Sequence, residues 1–321
     1  MYNLSSVIHF VKEFFCAFRF FGEECLVALR FERFEISKYD EYKKVWVKCD
    51  EYSSDMSFVI LWAWQDYFGY EMCRDGDLIW LRQTKPDLKW LAPAGNWHRD
   101  DWEELLLSHV GRQAEFVAVP KTVVEIWKQQ LGSKITAEAD RDAFEYLYDV
   151  QELATLAGNR HMKRRNRVNK FRRKYSANYL SLTPEMTEEV KALQGTWLQE
   201  EGDKVSEILA AEVQSSLRVL DHWQEFGLFG GVIELDGRFI AYELAEEVTP
   251  DVVMVHYEKG LPEFSEVYQV INKDFLANDA IKYKIVNREE DMGDPGLRQA
   301  KMAYLPCGFV EKYNVKWNAD A

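Results

Sequence analysis

The chain has 321 residues, 47% of them hydrophobic and 29% charged, with a formal net charge of −14. This is globular composition, and the length suits about two domains, each able to bury a core. The acidity argues against a general binder of nucleic acid or membrane surface and leaves room for a local basic patch.

The first segment, residues 1–30, is dense in aromatic and aliphatic side chains, but His9, Lys12, Glu13 and Arg19 interrupt them. A spanning helix needs about 20 consecutive, mostly apolar residues. The pattern therefore predicts a helical extension and no transmembrane segment, with residues 1–25 offering a peripheral membrane contact. No secretory cleavage pattern follows, so a cytoplasmic protein is expected. Cys16, Cys25, Cys49, Cys73 and Cys307 lack metal-ligand or redox spacing and read as reduced thiols.

Periodicity then predicts two helices over 38–49 and 57–68 and a hairpin around Asp75-Gly76. A strand (88–91), a helix (101–110), a strand (114–119), a helix (120–131) and a strand (134–139) follow. The second half repeats this order. Helices are expected over 184–200, with Thr183 as N-cap and Pro184 as first residue, and over 205–220. A hairpin of 232–235 and 239–244 flanks Asp236-Gly237, a pair suited to a type I′ turn. Then come strand 252–256, helix 267–275, strand 282–286, helix 295–303 and a strand near 310–315. The two Asp-Gly pairs lie half a chain apart, which suggests an internal duplication.

Between the halves, residues 158–175 carry Arg160, Lys163, Arg164, Arg165, Arg167, Lys170, Arg172, Arg173 and Lys174. Val168, Phe171 and Tyr175 form one narrow apolar stripe of a predicted helix. Such a helix is either a solvated linker paired with nearby acids or an element that contacts phosphates, with salt-dependent and sequence-blind affinity.

The candidate site lies near the C-terminus. His256 and Glu258, two apart in an extended chain, share a face. Strand 282–286 leads into Asn287, Arg288, Glu289, Glu290 and Asp291. Asp294-Pro295 then starts a helix that places Arg298 and Lys301 on one side. Polar clusters at strand carboxyl ends mark sites in open α/β sheets. Carboxylates, a histidine and two cations gathered there could deprotonate a nucleophile and hold an anion. A surface loop that pairs its own charges accounts for the same spacing. Nothing singles out a metal site, a nucleotide loop or a nucleophile elbow.

The runs GNRHMKRRNRVNKF, VHYEKGLPEFSEVYQVIN and VNREEDMGDPGLRQAKMAYLP resemble the bacterial family related to the C-terminal domain of phosphatidylglycerol lysyltransferase. The weaker runs FVILWAWQDYFGYEMCRDGDLIWLR and WLAPAGNW extend the likeness back to about Phe31. The resemblance implies an α/β (α+β) fold of two tandem acetyltransferase-like (GNAT) domains with mixed sheets covered by helices. The division expected is 1–30 extension, 31–157 first domain, 158–176 linker helix and 177–321 second domain with the site. It implies an aminoacyl- or acyl-transferase, with aminoacyl-tRNA as a possible donor. The other reading is a degenerate, non-catalytic module that binds an anionic ligand.

On this resemblance His256, Glu258, Arg288, Glu289 and Asp291 are the expected catalytic set. Lys259, Asn272, Asn287, Arg298 and Lys301 are expected to bind substrate, with Arg160, Lys163, Arg164 and Arg165 of the linker. The acceptor is left open. The stretch corresponding to the acetyl-coenzyme A loop, 258–268, holds only Gly260, and its counterpart 92–101 holds only Gly95. Without small residues the backbone cannot easily approach a pyrophosphate, so no tightly bound cofactor is expected, and coenzyme A by the usual loop is not.

Overall fold

A computed structural model describes residues 29–202 and 205–321. The expected helical extension and its membrane contact lie outside these residues, apart from 29 and 30. The first half contains α1 (Tyr39–Trp46), α2 (Phe58–Phe68), β1 (Glu71–Asp75), β2 (Leu78–Gln83), β3 (Lys89–Trp90), β4 (Ala94–Gly95), α3 (Trp102–His109), β5 (Gln113–Pro120), α4 (Lys121–Leu131), β6 (Ile135–Ala139), β7 (Glu145–Asp149) and α5 (Val150–Thr155). The basic segment forms α6 (Met162–Lys174). Then follow β8 (Asn178–Ser181), α7 (Thr187–Glu201), α8 (Glu207–His222), β9 (Phe229–Leu235), β10 (Arg238–Thr249), β11 (Val252–Gly260), α9 (Val267–Asn278), β12 (Ile285–Asn287), α10 (Pro295–Ala303), β13 (Gly308–Val310) and β14 (Lys312–Asn318).

Local chemistry sets most of these boundaries. Asp294 accepts a hydrogen bond from the Leu297 amide at 2.6 Å, and Pro295 opens α10 where its missing N–H costs nothing. Ser206 caps α8 through the Leu209 amide. Thr183 sits at the N-cap position before Pro184, but its side chain makes no cap bond and the first turn is a 3₁₀ turn. The α2 helix ends at Gly69 in the left-handed region, where a Cβ would lie 2.2 Å from Thr84 Oγ1. Asp236 and Gly237 both have positive φ, as a type I′ turn requires. In the first half the turn residues are instead Gly76 and Asp77, because Asp75 pairs with Leu78, and of these only Gly76 has positive φ.

The elements build two mixed sheets covered by helices, the α+β class expected. The first has strand order β1-β2-β3-β5-β14-β6, with β4 beside β2. The second runs β13-β7-β12-β11-β10-β9-β8. Neither sheet is made by one half of the chain alone. From the second half, β14 inserts between β5 and β6; from the first, β7 inserts between β12 and β13. A cut within 158–176 separates sequence halves but severs both sheets. The last strand, expected as one piece near 310–315, is two strands that pass into different sheets.

Both insertions are held by burial. Tyr146 and Tyr148 of β7 and Val315 and Trp317 of β14 are almost fully buried, in a core that also holds Trp46, Trp80, Trp97, Trp102 and Trp127.

A buried ionic knot fastens the exchange. Lys312, 1% exposed, donates to Glu145 at 2.8 Å and to Asp55, and lies 3.8 Å from Glu290. Glu145 also accepts from Ser53 and Ser54 and, at 2.5 Å, from Asn287. Removing one partner of a buried ion pair leaves the other charge uncompensated, at a cost of about 3–5 kcal/mol. Lys312→Met is therefore expected to lower unfolding stability by about that amount in urea titrations, and adding Glu145→Gln to recover part of the loss. A Lys312→Met chain as stable as the parent would contradict this role.

Candidate functional site

The structure divides the expected site residues into three groups. A β-bulge is responsible for the first division. Along the β10–β11 ladder Leu244 pairs with Tyr257 and Ala245 with Val255, so His256 has no partner opposite it. The extra residue breaks the two-residue alternation. His256 and Glu258, expected on one face, therefore point into different clusters.

His256 is fully buried. Its Nδ1 meets Glu289 at 2.8 Å and its Nε2 meets Glu246 at 3.1 Å. Glu246 in turn accepts from Ser57 Oγ at 2.8 Å and Tyr39 Oη at 3.1 Å, both from the first half of the chain. Burial alone would depress the imidazole pKa, but the hydrogen bonds to Glu246 and Glu289 raise it to about 9. His256 is thus an imidazolium bridging two carboxylates at neutral pH.

A group whose folded pKa exceeds its unfolded value stabilises the fold fully below the unfolded value, 6.5 for His256, and that contribution is lost as pH rises through the folded one. Glu290, raised to about 7 by burial despite Lys312 nearby, also disfavours the fold as it ionises. The melting temperature is expected to fall between about pH 4.5 and 7 through Glu290 and between about pH 6.5 and 9 through His256. His256→Gln should flatten the upper part of that profile in pH-dependent melting by circular dichroism. An equally steep fall in the variant would contradict the assignment.

The second group is scaffold for the loop 287–294. Asn287 is buried and holds Glu145 of β7, while its Oδ1 accepts the Glu289 amide at 2.9 Å. Glu289 and Met292 have positive φ. Lys301 Nζ donates to the carbonyl oxygens of Arg288, Glu289 and Glu290 at 2.6, 3.1 and 2.5 Å, which spends all three ammonium hydrogens. Asp291 accepts from Arg298 at 2.7 and 2.9 Å, from Tyr146 at 2.5 Å and from the Gly293 amide. Burial would raise its carboxyl, yet the Arg298, Tyr146 and Gly293 hydrogen bonds hold it at about 2.

The third group lies on the other face of β11. Arg288 Nη2 donates to Glu258 at 2.5 Å, with side chains only 10% and 12% exposed. Glu243 stands opposite Glu258 in the ladder, and Asn272 Nδ2 of α9 lies 3.5 Å from Glu243 Oε1. The Arg288 guanidinium is 4.7 Å from the Tyr304 ring centre and that of Arg164 is 4.4 Å from it. The linker helix and the C-terminal constellation therefore meet at Tyr304.

This cluster is unusual in what it leaves unpaired. Glu243 Oε2, Glu258 Oε1 and Arg288 Nη1 are buried atoms without a hydrogen-bond partner, and the buried Tyr304 hydroxyl has only the Arg288 guanidinium beside it. Orphaned buried polar atoms are rare and call for a specific explanation. Burial and the neighbouring Glu258 push the Glu243 carboxyl well above its ordinary range.

The remaining expected residues scatter. Lys259 turns to the opposite side of β11, where it meets Glu212 at 2.7 Å and the Trp197 ring at 4.2 Å. Arg160 pairs with Glu152, Arg165 Nη1 donates to the Leu156 and Gly158 carbonyls, and Lys163 is exposed. Two surface clefts lie away from all three groups. One, of about 420 Å³, is lined by β5, β6 and β14, and one of about 390 Å³ lies between α6 and α9. Among the described residues no group of His, Cys, Asp and Glu forms a metal site, and no helix is long and apolar enough to cross a membrane.

Sequence reasoning missed Glu243, Glu246, Tyr148 and Tyr304. The two glutamates did carry a signal, since a carboxylate inside the apolar run of β10 must have a buried partner or a reason to lack one. Tyr304 carried none.

The profile of the family described as phosphatidylglycerol lysyltransferase, C-terminal, matches residues 47–316. A conserved protein of unknown function from Bacteroides thetaiotaomicron aligns with TM-score 0.81 and 24% identity, over 90% of this chain and 100% of that one. L-PGS from Bacillus licheniformis aligns with TM-score 0.62 and 12% identity, over 90% and 94% of the two chains. At these identities the likeness shows the fold. No curated protein matches the chain.

Proposed function

Because the chain belongs to the family of phosphatidylglycerol lysyltransferase C-terminal domains, we propose that it is a transferase whose reacting group binds at Glu243, Glu258, Arg288 and Tyr304. The unpaired atoms of that cluster carry the reading. With Glu258 Oε1 left to take a proton, Glu243 Oε2 suits an ammonium, whose charge would draw that raised carboxyl back to its ionised form, and a guanidinium N–H suits a carbonyl oxygen. An aminoacyl group presents both, so the donor is an aminoacyl ester, with aminoacyl-tRNA the class that the basic helix α6 favours.

In this scheme an amine or hydroxyl of the acceptor attacks the ester carbonyl. Glu258 takes the proton from the attacking atom, and Arg288 Nη1 stabilises the oxyanion. The ester C–O bond then breaks, and the departing hydroxyl oxygen takes up the proton. His256 is a poor base here, since it already holds its proton between two carboxylates. Lys301 and Asn287 act as positioning residues by fixing the turn that presents Arg288.

Coenzyme A is not the donor in this reading. A Cβ at Gly260 would lie 2.4 Å from Val267 Cγ1, so this glycine serves the close packing of α9 on β11. The α9 N-terminus also carries Glu263 and Glu266, which oppose a pyrophosphate there.

The test is transfer of labelled amino acid from charged tRNA. Wild type should transfer, and Lys163→Ala/Arg167→Ala should lower the apparent affinity for tRNA and weaken its salt dependence. If charged tRNA binds both proteins equally, the RNA part of the proposal is lost. Ligand binding without turnover by any donor would favour the other reading, a non-catalytic module.

A further inference from the structure

The helix α10 is built inside out. Its two charged residues turn toward the protein, Arg298 to Asp291 and Asp142, and Lys301 to the 288–290 carbonyls. None of its residues is fully buried. Its exposed positions are Pro295, Gly296, Leu297, Gln299, Ala300, Met302 and Ala303, with a single polar side chain among them. Met292 (57% exposed), Leu297 (40%), Met302 (43%) and Leu305 (41%) extend this apolar surface along the loop and helix. A surface helix ordinarily does the reverse, hiding its apolar stripe and wetting its charges. Contiguous exposed apolar surface marks an interaction site.

The charges beside the patch indicate its occupant. The Tyr304 ring at the C-cap of α10 touches Arg164 of α6, so the first turn of α6 abuts the patch. That turn exposes Met162 and Lys163, with Arg167 one turn on, and the residues leading into it present Arg160, which pairs with Glu152. The acids at the other end of α10 are engaged: Asp294 caps the helix and Asp142 pairs with Arg298. The net charge of −14 does not oppose an anionic partner at this spot, because charges beyond a Debye length of about 8–10 Å are screened in physiological salt. The two clefts described above do not touch this face. A convex apolar helix with a cationic flank suits a fluid surface that deforms around it better than a partner that must supply a groove.

We propose that α10, with Met292, Leu305 and the first turn of α6, is a peripheral docking surface for an anionic lipid bilayer. Leu297, Met302 and Leu305 enter the headgroup–acyl boundary, and Arg160 and Lys163 contact lipid phosphates. The surface lies one loop away from Arg288, so docking sets that cluster near the interface.

The experiment is flotation of the full-length protein with vesicles of phosphatidylcholine alone and of phosphatidylcholine mixed with phosphatidylglycerol. Wild type is expected to float with the mixed vesicles. Leu297→Gln, Met302→Gln and Leu305→Gln should each weaken binding about tenfold, with only a small change in melting temperature because all three positions are exposed. Arg160→Glu/Lys163→Glu should abolish the preference for the anionic lipid. Unchanged flotation of the triple glutamine variant would overturn the proposal and place any membrane contact elsewhere. So would a wild type that ignores vesicles but forms a dimer that the same variant dissolves, or one that loses only RNA binding on the Glu substitutions.

Discussion

Removing residues 312–321 is expected to unfold the first half of the chain, although those residues end the second half. They include β14, which lies between β5 and β6 and pairs with both. Without it the first sheet loses its edge strand β6, and β5 is left as an open edge. Val315 and Trp317 leave the core, and burying a large apolar side chain contributes about 1.5–3 kcal/mol. Lys312 is lost as well, stranding Glu145 and Asp55. A whole protein is typically stable by only about 5–15 kcal/mol, so these losses together are comparable to the total. Limited proteolysis read by mass spectrometry should show new cleavage within residues 71–139. Cleavage confined to the second half, with β1 to β6 still protected, would mean that each half folds by itself.

Glu258→Gln is expected to lower the rate of transfer by about 10²–10⁴-fold, with little change in the binding of the donor. Glutamine keeps the shape and can still accept from Arg288, but it cannot take a proton. His256→Gln should act differently. It breaks the bridge between Glu246 and Glu289, so it should cost stability above all and leave most of the rate in the protein that stays folded. If His256→Gln abolishes transfer at an unchanged melting temperature while Glu258→Gln is harmless, the roles given to the two faces of β11 are reversed.

What could be read from the sequence was local. Asp236-Gly237 announced its hairpin, and Asp294-Pro295 announced α10, because a turn or a cap is decided by a few neighbouring residues. The stripe of Val168, Phe171 and Tyr175 announced α6, whose inward face is Arg164, Val168 and Phe171. The strand exchange was not legible. Strand partners are chosen by side chains far apart in the chain, and β7, five residues long, carries no turn signal of its own.

The site was half legible for the same reason. Glu258, Arg288 and Asn272 were expected together and do converge. The separation of His256 from Glu258 rests on one bulge inside VVMVHYEKG, which reads as an uninterrupted strand. The inverted polarity of α10 was equally hidden, since Arg298 and Lys301 were expected to face a ligand and instead close the turn before their own helix.

In the proposed reaction the unpaired atoms of Glu243, Glu258 and Arg288, beside Tyr304, form a seat for an aminoacyl group. Calorimetric titration with amino-acid amides, which keep the ammonium and the carbonyl but lack the carboxylate, tests it most directly. At least one amide should bind wild type, with affinity reduced about tenfold or more in Glu243→Gln and in Arg288→Lys. No binding by any amide, or binding that neither substitution changes, would contradict it.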